Sequence, residues 1–199
     1  ILTELNADRF SIIAHSMGGL DARHLISNMG WHEAVDVLVT VATPHRGSPI
    51  ASLTLDQPES LRRLLVDMAD WVGTHVLEDG SANFRKSLHE LTPEYVQETF
   101  NPAVPDHPDV AYWSFGCRAG KGTDIPIDPI FRYFNAYLYG REGLNDGIVS
   151  VDSARWGEYL GTVDADHARQ VGIKSRLAAD FDSNAFYASI AERLAEHGY

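Results

Sequence analysis

Residues 9–19, Arg9-Phe10-Ser11-Ile12-Ile13-Ala14-His15-Ser16-Met17-Gly18-Gly19, carry the pattern from which the fold can be read. The run from Arg9 to Ala14 is short and apolar with little alternation, as expected of a parallel strand covered on both faces. Beyond it, residues 17–29 set Leu20, His24, Leu25 and Ile26 at helical spacing, and Gly30 stands where a helix stops. Ser16 falls at the junction. A serine between strand and helix fits a nucleophile elbow, a turn that strains the serine backbone and presents its hydroxyl free of neighbours. Such a turn should crowd its flanks, and Ala14 and Gly18, two residues to either side, are small. Short patterns of this kind also recur by chance; the flanking strand and helix set this one apart. The Met17 N–H, at the helix N-terminus, would then face the oxyanion formed when the serine attacks a carbonyl. His15 is expected to pack beneath the elbow, and Asp21 and Arg23 to form a structural polar pair on the helix.

Working outward, Val35 to Ala42 is β-branched and ends at Thr43-Pro44, where proline closes a second strand. Strand, helix, strand implies a right-handed crossover and a parallel sheet. Residues 48–109 break the rhythm, with helical candidates at about 59–77, 82–91 and 93–100, and read as an inserted cap. Val110 to Gly116 resumes a strand, and Glu158 to Val163 is a weaker one. From Asn184 to His197, Phe186, Ile190 and Leu194 share one face of a terminal helix. The fold class is α/β: one domain over residues 1–199, with a mostly parallel sheet flanked by helices. Ile1 to Leu5 reads as the last turns of a helix, so something is expected to precede it.

Composition sets limits. A chain of 199 residues with 44% apolar residues can bury a substantial core. The formal net charge of −12, with no basic run, argues against a nucleic-acid partner. The single cysteine, Cys117, rules out an internal disulfide but does not separate a reducing compartment from secretion. No stretch approaches the roughly 20 apolar residues of a membrane span. Localisation stays open.

An activated serine needs a base and a group that orients it, in this architecture in the chain order Ser, Asp or Glu, His. Asp146 lies in Leu144-Asn145-Asp146-Gly147-Ile148-Val149, a polar turn in which Gly147 would relieve crowding beside an inward-reaching carboxylate. An ordinary Asn-Asp-Gly turn reads the same way. His167 follows the fourth strand and is the histidine between Asp146 and the last helix. Alone it is a plain loop histidine; order and spacing favour the base. His45 precedes Asp146 and is expected to be structural, while Trp156 reads as a core aromatic or as lining for a pocket. Leu61, Leu64, Leu65, Met68, Trp71 and Val72 form a helical stripe, either a lid opening onto lipid or a face packed on the core.

Taken together, the motifs resemble bacterial triacylglycerol lipases of the α/β-hydrolase fold and their fungal relatives, along nearly the whole chain. Residues 14–23 are similar to their serine elbow and following helix. Ala42-Thr43-Pro44-His45-Arg46-Gly47-Ser48-Pro49 is similar to the segment bordering their active site, and Asn145 to Val151 with Ala154 to Gly157 to their acid loop. The resemblance implies Ser16 as nucleophile, Asp146 and His167 as its partners, and Met17 as an oxyanion donor. The implied chemistry is lipase or esterase hydrolysis of carboxylic esters, with acylglycerol-type lipids as the implied substrates, through an acyl-enzyme intermediate. An acyltransferase on the same residues, or an impaired or binding protein, are the alternatives. The cap implies transient contact with a lipid interface.

Many of these lipases hold a structural calcium ion beside the histidine loop. Asp128 resembles one ligand, but Arg169 stands where a second carboxylate is expected. No cofactor is therefore expected, and Arg169 is expected to pair with a carboxylate such as Asp128. The resemblance also places several strands ahead of Ile1, including a loop that donates a second oxyanion N–H. The strand at 9–14 would then be a sheet edge, and the chain by itself poorly soluble and nearly inactive.

Overall fold

The computed structural model describes residues 8–56, 80–173 and 181–199. The opening helix expected at 1–5, the candidate at 59–77 and the stripe at 61–72 lie outside the described residues.

β-Branched and aromatic runs form strands β1 (Phe10–His15), β2 (Val35–Val41), β3 (Ala111–Cys117) and β4 (Glu158–Val163). They pair in that order, every pair parallel, in a 4-stranded sheet. Among the described residues β1 and β4 are its edges. β2 is buried on both faces, which is why its sequence is apolar almost without alternation. Val37, Val39 and Val41 pack with Ile190 and Leu194 of the terminal helix. Leu38, on the other face, packs with Ala22 and Ile26 of the helix that follows β1.

That helix, α1 (Gly18–Asn28), ends as expected: Met29 N–H donates back to Leu25 O, and Gly30 takes the left-handed φ of 77° that glycine tolerates. In the span 48–109 the described helices are α2 (Pro49–Asp56), α3 (Gly80–Glu90) and the successive turns Pro93–Tyr95, Val96–Phe100 and Asn101–Ala103. Its start is no loose appendage: Ile50 and Leu53 are buried with Phe131, Phe134 and Leu138.

One helix, α4 (Arg132–Glu142), is not announced by the apolar spacing. Tyr133 is 52% exposed beside the fully buried Phe134, so aromatic residues on both faces blur the stripe. A short helix, α5 (Val151–Ala154), precedes β4, and α6 (Ser183–Glu196) closes the chain with Asp182 capping its first turn. Because all strands run the same way, the segments leaving their carboxyl ends gather along one edge of the sheet.

Candidate active site

The elbow forms where β1 gives way to α1. Ser16 has φ 54°, a left-handed conformation costly for a residue with a Cβ. Two bonds from the β2 side hold it: Ser16 N–H donates to Val41 O at 2.9 Å, and Thr43 Oγ1 donates to Ser16 O at 2.7 Å. Ala42, beside Thr43, is itself at φ 49°, so the strain is shared across two strand ends. Met17 precedes the first turn of α1, and its N–H meets no protein acceptor among the described residues.

The expected crowding falls one residue later than Gly18. A Cβ on Gly18 would meet nothing, whereas one on Gly19 would overlap the Thr43 side chain. The tight approach is between α1 and the segment after β2, which the elbow pattern alone does not locate.

Asp146 is fully buried in the turn after α4. Its Oδ1 accepts from Ile148 N (3.0 Å) and Val149 N (2.8 Å), while Gly147, at φ 105°, packs so close to Phe131 that a Cβ would collide. The turn hangs on a buried amide pair: Asn135 of α4 donates to Asn145 Oδ1 at 2.8 Å, and Asn145 Nδ2 returns to Asn135 O at 3.2 Å. Asn135 also donates to Ala119 O, just past the end of β3. The unannounced helix thus positions the carboxylate.

His167 sits in the loop after β4, 6% exposed. Its Nδ1–H donates to Asp146 Oδ2 at 2.8 Å, and its Nε2 lies 2.9 Å from Ser16 Oγ. With Nδ1 committed to the carboxylate, Nε2 is left as the acceptor for the serine hydroxyl. The structure therefore brings Ser16, His167 and Asp146, far apart in sequence, into one hydrogen-bonded line. Burial by itself would raise the Asp146 carboxyl, but His167 and the converging donors, Val149 N and Gln170 among them, hold it below the ordinary value.

Gln170, fully buried, has no part in the expectations from sequence. Its Nε2 donates to Asp146 Oδ2 at 2.8 Å and its Oε1 accepts from His15 Nε2 at 2.9 Å. No local pattern signals it, because its partners lie 24 and 155 residues away. His15 indeed sits against the elbow, its ring centroid 4.7 Å from that of His167. Burial, reinforced by His167, lowers its pKa to about 4.

One expected pairing is corrected and another is met by a different carboxylate. Asp21 and Arg23 are not a pair: Asp21 is exposed, while Arg23 is fully buried, donating to Asn101 Oδ1 (2.8 Å) and Val104 O (3.0 Å) and stacking 3.8 Å over Trp156. Residues two apart point to different sides of a helix. Arg169 pairs not with the Asp128 side chain but with Asp166, at 2.8 Å, and also donates to Pro126 O at 2.6 Å. Asp128 reaches the same carboxylate through its backbone N–H and uses its side chain to cap Ile130. His45 lies away from the line, fully buried, bonded to Thr40 Oγ1 and stacked on Trp156, with its pKa driven well down by burial and then by Arg23 and Arg46. Trp156 serves this packing cluster and donates to Asp106.

A family model described as a PGAP1-like alpha/beta domain matches residues 3–60, the stretch from β1 through α2. Mature Bacillus licheniformis lipase BlEst2 superposes with a TM-score of 0.70 at 20% identity, over 97% of this chain and 68% of that one. Staphylococcus hyicus lipase gives 0.67 at 19% identity, over 94% and 69%. The chain thus shares the fold of these two lipases. In sequence the chain is similar to triacylglycerol lipase 2 of Saccharomyces cerevisiae, 33% identical over 95% of this chain, and it spans 58% of that protein's length. Among the described residues no helix is long and apolar enough to cross a membrane.

Proposed function

We propose that the chain carries the catalytic residues of a carboxylic ester hydrolase of the lipase or esterase type, with Ser16 as nucleophile, His167 as general base and acid, and Asp146 as the group that orients it. The observation that carries this reading is the unbroken line from Ser16 Oγ through both nitrogens of His167 to the buried Asp146 carboxylate, at 2.9 and 2.8 Å, on a serine with strained backbone.

Ser16 Oγ attacks the ester carbonyl carbon as its proton passes to His167 Nε2. The Met17 N–H stabilises the resulting oxyanion, helped by the N-terminus of α1. Asp146 stabilises the imidazolium. His167 then protonates the departing alcohol as the C–O bond breaks, leaving an acyl-serine. A water, deprotonated by His167, releases the acid and restores the serine. The similarity to a triacylglycerol lipase supports acylglycerols as substrates, with the cap making transient contact with the lipid interface.

No metal ion enters this scheme. The Asp166 carboxylate is saturated by Arg169 and by the Asp128 and Arg169 backbone N–H groups, a donor set that does not fit calcium. In this reading the guanidinium supplies the cross-link beside the histidine loop.

The test is turnover of p-nitrophenyl esters of increasing chain length by the full-length protein. Ser16→Ala should lower kcat on the order of 10⁶-fold. Ester turnover undiminished in that variant would remove the serine from the chemistry.

A further inference from the structure

The three groups of the proposed mechanism do not exhaust the buried polar chain at the elbow. It continues past Asp146 to Gln170 and returns to His15, the residue beside the nucleophile. Asp146 Oδ2 accepts from His167 Nδ1 and also from Gln170 Nε2, each at 2.8 Å. The far side of the Gln170 amide accepts from His15 Nε2 at 2.9 Å. An amide can point either end at a carboxylate. Turned the other way, Gln170 would set its oxygen against Oδ2 and leave buried atoms without partners. His15 Nε2–H supplies the donor that the correct orientation requires.

We propose that Gln170, locked by His15, is a positioning residue that holds the Asp146 carboxylate in register with His167. This rests on the ester-hydrolase reading above and extends it to two residues that do not touch the reacting atoms. Gln170 stands on the turn Arg169–Val171, just after His167, and His15 is the last residue of β1. The chain Ser16, His167, Asp146, Gln170, His15 therefore ties the histidine loop back to the strand that delivers the serine.

The chemistry follows from the shared oxygen. The Gln170 N–H places the positive end of a dipole at Oδ2, drawing carboxylate charge away from the imidazole and fixing the oxygen laterally. Without it the full charge acts on His167, which then keeps its proton to higher pH, and the carboxylate is freer to shift. Among the described residues, Asp146, from the acid turn, and His15, from the elbow, are the charged and titratable groups facing His167. A protonated His15 would repel the imidazolium; its depressed pKa, about 4, keeps it neutral in the working range.

The experiment uses the full-length protein with a soluble p-nitrophenyl ester, comparing parent, Gln170→Met, His15→Phe, the double variant and Ser16→Ala. Methionine keeps the length of glutamine and phenylalanine the ring of histidine, while both lose the polar contacts. Gln170→Met should lower kcat about tenfold with KM unchanged, and should move the acid limb of kcat/KM to higher pH by about half a unit or more. His15→Phe should move both in the same direction. The double variant should be no slower than Gln170→Met, because both act through one amide. An acid limb that stays in place, a loss confined to KM, or losses that multiply in the double variant would each overturn the assignment. Should Gln170→Met fail to fold, the acid limb of His15→Phe decides alone. If Ser16→Ala retains turnover, the hydrolase reading itself falls; if that variant is dead while Gln170→Met keeps the parental kcat and acid limb, only the positioning role falls.

Discussion

Arg169→Met is the substitution whose cost can be worked furthest from the geometry. Arg169 approaches the fully buried Asp166 carboxylate through Nε at 3.1 Å and Nη2 at 2.8 Å. A unit charge pair at that separation is worth about 6 kcal/mol at an effective dielectric of about 20. Methionine fills much of the volume but leaves a buried carboxylate without its cation, and removing one partner of such a pair costs about 3–5 kcal/mol. The N–H groups of Asp128 and Arg169 still reach Asp166, so the low end, about 3 kcal/mol, is expected, or roughly 6–12 °C in Tm for a chain of this size. Urea unfolding of parent, Arg169→Met and Arg169→Met/Asp166→Asn checks it. The second change removes the orphaned charge and should recover at least half of the loss. A loss below about 1 kcal/mol in Arg169→Met would refute the pairing argument. So would restoration of the parental midpoint by added calcium, since the ion would then be balancing Asp166.

Two more outcomes follow from the elbow. Gly18→Ala, which meets open space, should change stability by less than about 0.5 kcal/mol, while Gly19→Ala, which overlaps Thr43, should cost about 1–3 kcal/mol; equal midpoints in thermal unfolding would contradict the placement of α1 against Thr43. The depressed His15 pKa makes stability depend on pH. The unfolded state binds the extra proton between about 4 and 6.5, so stability rises with pH across that window and is lost as pH falls through it, by up to about 3 kcal/mol. Denaturant midpoints measured across the window should show a shallower slope in His15→Phe, and an unchanged slope would remove His15 from the account.

The elbow was legible because everything that defines it is local: an apolar strand, a serine and the start of a helix within a few residues. The strands were legible for the same reason, since burial on both faces leaves an uninterrupted apolar run. α4 was not, because Tyr133 and Phe134 are adjacent aromatics of opposite exposure, and periodicity cannot tell a packed ring from an exposed one. Asp21 and Arg23 look like a pair only when helix geometry is ignored. The corrected crowding at Gly19 depends on Thr43, which approaches from another strand.

Sequence alone determined the chain order of the four strands and of the helices that follow β1 and β4, the site of the backbone strain and the residue types available to activate the serine, since each follows from neighbours along the chain. Tertiary structure decided which of the available polar groups meet. Asp146 reaches His167 because Asn135 anchors its turn, Arg169 finds Asp166, and Gln170 joins the acid to the elbow. Arg169 and Asp166 are only three residues apart, but the other contacts join segments ten or more residues apart at hydrogen-bond distance, and a hydrogen bond is directional and short-ranged, so no pattern along the chain encodes them.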